Sequence, residues 1–297
     1  MTRLRSRLIL MLGTAVTLLL PARIFAQSDT ARAGALHVDS AKSVAAPSDS
    51  AAVIGGRMDS VRPPRLFTAA DRRNLLLLVA ATLAVMPADK KLTDEFRDAG
   101  PQRSTLLHDG ARAFDVLGDP GTIIITLGAY AIGRAVHSEH LADLGLHVGQ
   151  SLVLTAGETW LAKGLIGRRR PYLDVSDPDE FALGHGFAGG AWASLPSGHT
   201  AAAFAVAASA NEEIRHWWPA APWVVSPLLY GGATMVGLAR IYDARHWSSD
   251  VVLGAGLGIL TGRKVAEYRH GPIAGTRWPR WPQITATGRG LSLNWGF

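Results

Sequence analysis

The stretch Arg240-Ile-Tyr-Asp-Ala-Arg-His-Trp-Ser-Ser-Asp250 runs from the end of one apolar segment to the start of the next. Within it, His246 and Asp250 are four residues apart. On a helix, a carboxylate at that spacing can accept a hydrogen bond from the imidazole and so fix its tautomer. A single His–Asp pair of this kind is more often a surface contact than a catalytic dyad. Its interpretation therefore depends on what else the chain brings to the same place.

Two further polar segments follow or precede apolar runs. The first is Lys163-Gly-Leu-Ile-Gly-Arg-Arg-Arg-Pro171, in which Lys163 and Arg170 are two helical turns apart, nearly on one face, before the proline stops the helix. Taken alone, it could equally be a basic cluster at lipid headgroups. The second is Pro196-Ser-Gly-His-Thr200, directly before an alanine-rich run. The free amides of a helix N-terminus bind anions, so this segment is a candidate anion site.

Apolar runs separated by polar, Gly or Pro residues predict a helical bundle between residues 66 and 268. In an antiparallel bundle with short connections, the third and fifth helices end, and the fourth and sixth helices begin, at the same end of the bundle. The three polar segments then converge there and bring together cations, two histidines and a carboxylate. That set suits a tetrahedral oxyanion such as a phosphoryl group. The runs are 74–86, 121–136, 146–163, 200–210, 223–239 and 251–261.

The three segments resemble the motifs of the type 2 phosphatidic acid phosphatase (PAP2) and haloperoxidase superfamily, K-x6-R-P, P-S-G-H and S-R-x5-H-x3-D. All three occur in order between Lys163 and Asp250. Ala239 stands where the third motif has serine, which removes one hydroxyl donor and is expected to tune activity rather than abolish it. The resemblance implies an all-α, six-helix bundle embedded in the membrane. The N-terminal linker is expected to be disordered, and the C-terminal tail irregular or a single strand.

The resemblance also implies a role for each motif residue. His246 would attack phosphorus and form a phosphohistidine, Asp250 would orient it, and His199 would protonate the leaving group. The implied mechanism needs no metal or other cofactor, and the sequence lacks an H-E-x-x-H motif and a calcium-loop pattern. The residues expected to bind the phosphoryl oxygens are Lys163, Arg170, Ser197, Gly198 and Arg240.

The amino-acid composition, independently of the motifs, excludes several kinds of site and favours one kind of partner. The chain has no cysteine, which excludes disulfides, thiol nucleophiles, iron–sulfur clusters and Cys-ligated zinc. A formal charge of +6 favours an anionic partner, either phosphate, acidic lipid or nucleic acid. Given the motifs, we expect a lipid phosphate or pyrophosphate, not nucleic acid.

Several basic residues match no motif position. Arg168, Arg169 and Arg245 are expected to lie outside the site and to recruit acidic headgroups, so Arg168→Ala should keep turnover. His185 is a candidate to help cover the pocket, and the acidic run 174–180 is expected to be a solvated loop. The remaining histidines interpreted as surface residues of polar connections are His108, His137, His140, His216 and His270.

The predicted domain organisation has four parts. Residues 1–26 begin with Arg3, Arg5 and Arg7, followed by an apolar run and a small residue at the cleavage position, as in a signal peptide. Residues 27–65 are rich in Ala, Ser and Asp and are expected to be a disordered linker. Residues 66–268 form the phosphatase-like domain. Residues 269–297 form a tail with one strand near its end.

Topology signals conflict. With the signal cleaved, three full spans would place the site inside, whereas the basic residues flanking the bundle favour the site outside. The conflict disappears if 74–86 does not span or if the domain is exported whole. We expect an exported membrane protein with its site facing the periplasm or exterior.

Alternatives remain open at this point. A soluble periplasmic acid phosphatase shares the motifs, and a vanadate haloperoxidase or an inactive lipid-binding protein is a weaker alternative. The candidate substrates by resemblance are phosphatidate, phosphatidylglycerol phosphate, undecaprenyl pyrophosphate and lipid A phosphate. The motifs select none of these, nor an oligomeric state.

Overall fold

A computed structural model describes residues 67–270, 280–287 and 290–296 of the chain. The predicted signal peptide at 1–26 and linker at 27–65 lie outside the described residues. Within the described part, helices account for most of the chain, as an all-α fold requires. They are α1 (Ala69–Val85), α2 (Asp89–Arg97), α3 (Ala99–Arg103), α4 (Thr105–Val116), α5 (Thr122–Ala135), α6 (Glu139–Ile166), α7 (Gly198–Trp217), α8 (Pro222–Tyr242) and α9 (Ser248–His270).

The six predicted apolar runs coincide with α1, α5, α6, α7, α8 and α9, so the six-helix bundle is confirmed. Three shorter helices, α2 to α4, lie between the first two runs and were not anticipated. A π-helical turn, Leu117–Gly121, joins α4 to α5 where Asp119 is extended and Pro120 interrupts the hydrogen-bond pattern. This turn lies beside the site described below.

The end of α6 is set by Gly167, which has a left-handed φ of 59°. A Cβ on this residue would collide with the carbonyl oxygen of Ala182, so both conformation and space favour glycine. The helix therefore stops four residues after Lys163, and the chain turns into the arginines that follow.

Helices α7 and α9 pack almost backbone to backbone. Glycines recur on α9 at every fourth residue, and a Cβ at each would collide with a carbonyl oxygen of α7. The glycines are Gly254, Gly258 and Gly262, and the facing carbonyls belong to Ser197, Ala201 and Ala205. This contact brings the N-terminus of α7 onto the first turn of α9, where the Ser197 amide donates to the Asp250 carbonyl at 2.9 Å.

The tail contains two strands, β1 (Arg280–Thr287) and β2 (Gly290–Gly296), paired antiparallel. The predicted strand corresponds to β2, whereas β1 was missed. Pro282 lies within β1, and the register is irregular between Arg280 and Gln283, where a residue without an N–H interrupts the ladder. The prolines that interrupt the alternating pattern thus concealed β1, the strand that pairs with β2.

Two helical segments in the described part are long and apolar enough to cross a membrane, namely Thr105–Ala135, which includes the π turn, and Pro222–Tyr242. Several helices turn large apolar side chains outward. Ile124 on α5 is 64% exposed, Val153 on α6 is 73% exposed and Trp223 on α8 is 89% exposed. The interior positions of α7, by contrast, are mainly alanine.

Candidate active site

His246 lies in the short connection between α8 and α9 and is almost fully buried. Its Nδ1 is 2.8 Å from the carbonyl oxygen of Ser194. Because a carbonyl can only accept, Nδ1 carries the proton, and in the neutral ring Nε2 keeps its lone pair. Burial, with the nearby charge of Lys163, lowers the His246 pKa to about 3 against the pull of Asp250. The imidazole is therefore neutral near pH 7, with a free nitrogen.

Asp250 does not accept that proton directly. Its Oδ2 lies 3.6 Å from His246 Nδ1, beyond hydrogen-bond distance, so the direct bond expected from the spacing is replaced by the one to the Ser194 carbonyl. Asp250 Oδ2 instead accepts from Ser194 Oγ at 2.5 Å and from the Trp247 amide at 2.9 Å. The Asp250 carboxylate thus fixes Ser194, whose carbonyl accepts from the imidazole, and Trp247, which follows His246 in the chain. Ser194 belongs to none of the three motif segments, so no sequence signal pointed to it.

Arg168 occupies a place that contradicts its predicted role at the surface. It is fully buried, and its Nη1 donates to Asp250 Oδ1 at 2.7 Å while its Nη2 donates to Asp89 Oδ2 at 2.8 Å. Ser249 and the Pro178 carbonyl accept its remaining hydrogen bonds. Two buried carboxylates require a cation between them, and the planar guanidinium can serve both. Asp89, on α2, was also missed because it lies far from Asp250 in sequence.

Aromatic rings enclose the same guanidinium. The Arg168 Cζ lies 5.4 Å from the ring of Phe181 and 5.5 Å from that of Trp247. Its neighbour Arg169 behaves differently, with a side chain 32% exposed and paired with Glu180 at 2.6 Å. Adjacent arginines are thus divided between the interior and the acidic loop. Within residues 174–180 of that loop, only Ser176 and Asp177 are exposed and the others are half-buried.

The cations expected to bind phosphoryl oxygens gather at the N-terminus of α7. A Cβ on Gly198 would lie 3.5 Å from Lys163 Nζ, so the ammonium faces the glycine backbone directly. Arg170 is steered by the Gly190 carbonyl, which accepts from its Nε at 2.9 Å. Ser197 is buried, and its amide is used by the Asp250 carbonyl, which removes it from the expected set of anion donors. Its hydroxyl accepts from Thr200 at 2.8 Å and keeps its own hydrogen to donate.

A second carboxylate enters the site from α4. Asp115 pairs with Nη1 of Arg240, whose buried Nε has no hydrogen-bond partner among the described residues. The Nε2 of His199 lies 3.8 Å from Asp115 Oδ1 and 4.0 Å from Asp119 Oδ2. Asp115 was not predicted from the sequence because no motif extends to α4. Residues 115–119 form one wall of the site.

The loop between the first two motifs packs on the end of α6. A short 3-10 turn, His185–Ala188, places Phe187 over Gly164, where any Cβ would collide with its ring. The His185 ring meets that of Trp192 edge-on at 6.0 Å. This segment thus packs closely against the end of α6 that carries Lys163.

The eight residues singled out from the motifs lie on segments that meet at one end of the bundle. A neutral imidazole with a free Nε2 stands beside three cationic side chains, one of them with an unused buried donor. A second histidine is partly exposed on the other side. Such an arrangement can bind a tetrahedral oxyanion and attack it with nitrogen.

Part of the chain is similar in sequence to known proteins. Residues 144–271 match the model of the PAP2 superfamily. A lipid A 1-phosphatase from Porphyromonas gingivalis is 46% identical over 69 residues, which are 23% of this chain and 15% of that protein. The chain thus spans only about a seventh of the length of the curated relative it matches.

Two crystal structures have similar backbones. A transmembrane PAP2 type phosphatidylglycerolphosphate phosphatase from Bacillus subtilis gives a TM-score of 0.48 at 19% identity, over 70% of this chain and 98% of that one. Aquifex aeolicus LpxE gives 0.42 at 24% identity, over 60% of this chain and 94% of that one.

Proposed function

We propose that this protein is a phosphatase that hydrolyses a phosphate monoester or pyrophosphate of a lipid, since residues 144–271 match the model of the PAP2 superfamily. The observation that carries the proposal is the buried His246, whose Nε2 lone pair is left free by the Nδ1 hydrogen bond to Ser194. The positive charges of Lys163, Arg170 and Arg240 beside this nucleophile complement the negative charge of a phosphoryl group.

The reaction proceeds in two displacements. In the first, His246 Nε2 forms a bond to phosphorus as the bond to the leaving oxygen breaks, and His199 gives that oxygen a proton. The phosphorylated ring is cationic and keeps its Nδ1 proton on the Ser194 carbonyl, with the Asp250 carboxylate 3.6 Å away. In the second, water gives a proton to the now neutral His199 and attacks phosphorus. The P–N bond breaks, and inorganic phosphate leaves.

Charge stabilisation comes from the fixed cations. Lys163 and Arg170 lie on the α6 side of the phosphoryl group, and Arg240 lies on the α8 side. Arg240 is paired with Asp115, whose side chain is 38% exposed and has room to move away. A phosphoryl oxygen that takes its place also supplies an acceptor to the orphaned Arg240 Nε.

A lipid substrate is favoured by the outer surface of the bundle. Large apolar residues such as Ile124, Val153 and Trp223 face outward on three different helices, which is expensive in water and favourable in a bilayer. The 21 residues of α8 span roughly 32 Å, close to a bilayer core. The signal-like N-terminus and the basic flanks of the bundle support a site that faces the periplasm.

The test compares wild type with His246→Ala for phosphate release in excess EDTA, on a micellar lipid phosphate and on a small soluble monoester. We expect release that resists EDTA, depends on His246 and prefers the lipid. Brief reaction with a 32P-labelled substrate followed by alkaline quench should leave acid-labile label on wild type alone. Equal turnover by the variant would refute the assignment, and preference for the soluble ester would favour the periplasmic acid phosphatase.

A further inference from the structure

A second cluster of titratable side chains lies at the other end of the same helices. His147 on α6 precedes Lys163 by sixteen residues, and Glu213 on α7 follows Ser197 by sixteen, so each lies roughly 24 Å along its helix from the phosphatase site. His270 is the last residue of α9. The cluster is therefore separate from the site described above.

The three side chains point at one another. His147 Nδ1 is 2.5 Å from Glu213 Oε1, and His270 Nε2 is 2.9 Å from Glu213 Oε2. One ligand atom from each residue can be chosen so that all lie within 4.8 Å of one another. Zinc bonds to nitrogen and oxygen are about 2.0–2.2 Å long, which makes the edge of a tetrahedral site roughly 3.4 Å. Small side-chain shifts bring the cluster to that spacing.

Burial and charge also favour a cation here. Glu213 is fully buried and His147 is nearly so, and a carboxylate in such a position is costly unless its charge is compensated. A divalent ion bound between the two imidazoles and the carboxylate would supply that compensating charge. The ring centroids of His147 and His270 are 5.2 Å apart, so the two imidazoles also contact each other.

A further histidine lies beside the cluster. His216 follows Glu213 by one helical turn on α7, and its ring centroid lies 4.5 Å from that of His270. Two histidines and one carboxylate form a known zinc set, with the fourth position taken by a further side chain or by water. The sequence pattern predicts that His216 and His270 are surface residues of polar connections. Both instead lie on helices, whereas the surface position of His270 is confirmed, with its side chain about a quarter exposed.

We propose that His147, Glu213 and His270 bind one Zn²⁺ ion that ties α6, α7 and α9 together at the end of the bundle distant from the phosphatase site. The ion takes no part in phosphate chemistry. Its function is to hold three helices whose other ends carry the catalytic groups.

The test uses full-length protein without a histidine tag, stripped of metal and then titrated with ZnCl₂. We expect one equivalent of zinc per chain and, at about 100 times the dissociation constant, a rise in melting temperature of roughly 5–10 °C. Titration with Co²⁺ should give the intense visible bands of a tetrahedral site.

Two variants and one control make the result specific. His270→Ala removes a partly exposed ligand, and Glu213→Gln keeps the shape of the buried one, so both should fold yet lose zinc binding and the Co²⁺ spectrum. His108→Ala, at an exposed histidine of α4, should bind like wild type. No saturable uptake by wild type, or equal uptake by His270→Ala and Glu213→Gln, would overturn the proposal and leave a metal-free hydrogen-bonded cluster.

Discussion

Replacing Arg168 with alanine tests the buried charge network that supports the candidate active site. The guanidinium has no exposed surface and bridges Asp89 and Asp250, both also fully buried. Its removal leaves two carboxylates facing each other without a cation. Breaking a buried ion pair by deleting one partner costs about 3–5 kcal/mol. For a domain of this size that corresponds to a fall in melting temperature of roughly 6–20 °C.

Activity should fall with stability. Asp250 holds Ser194 and Trp247 in place around His246, so any shift of this carboxylate moves the nucleophile. A displacement of about 1 Å can cost 100-fold in rate, so we expect a kcat loss of about that size at temperatures where the variant is still folded. This replaces the sequence-based expectation that Arg168→Ala keeps turnover.

The assay follows thermal unfolding and phosphate release for wild type and three variants in the same detergent. Arg169→Ala is the matched control, because this neighbouring side chain is partly exposed and its surface ion pair with Glu180 should contribute little to stability. The double variant Arg168→Ala/Asp89→Asn removes one of the two orphaned carboxylates and should be more stable than Arg168→Ala alone. Wild-type stability and kcat in Arg168→Ala would refute the reasoning.

Three further predictions follow from single contacts. Asp115→Asn removes the anion paired with Arg240, so inhibition by orthovanadate should tighten by about two- to five-fold, and weaker inhibition would show that Asp115 assists anion binding. Gly167→Ala should destabilise by at least about 1 kcal/mol because of its positive φ, whereas Gly157→Ala, with open space on the same helix, should be neutral or stabilising in the same melts. The low pKa of His246 means that the unfolded chain binds a proton there below about pH 6.5 while the folded chain does not until about pH 3. As the pH falls through that range, the free energy of unfolding of wild type should therefore decrease more steeply than that of His246→Gln. Identical pH profiles for the two proteins would contradict the burial of His246.

Much of the site was predictable because its motifs are local. Short patterns at the ends of apolar runs located Lys163, Arg170, His199, Arg240 and His246, and helix periodicity with an antiparallel arrangement is enough to bring such ends together. The main helices followed from the same periodicity. A strand was missed where prolines broke the alternation.

Tertiary structure alone decided how these groups are connected. Arg168 and Arg169 are adjacent and chemically identical, yet one bridges buried carboxylates and the other pairs with a surface glutamate, because Asp89 arrives from a distant helix. The acceptor that fixes the His246 tautomer is a backbone carbonyl, which carries no side-chain signal at all. Hydrogen bonds are decided by distances of a few tenths of an ångström between elements far apart in the chain. Sequence spacing determined which residues gather, and only packing determined which of them touch.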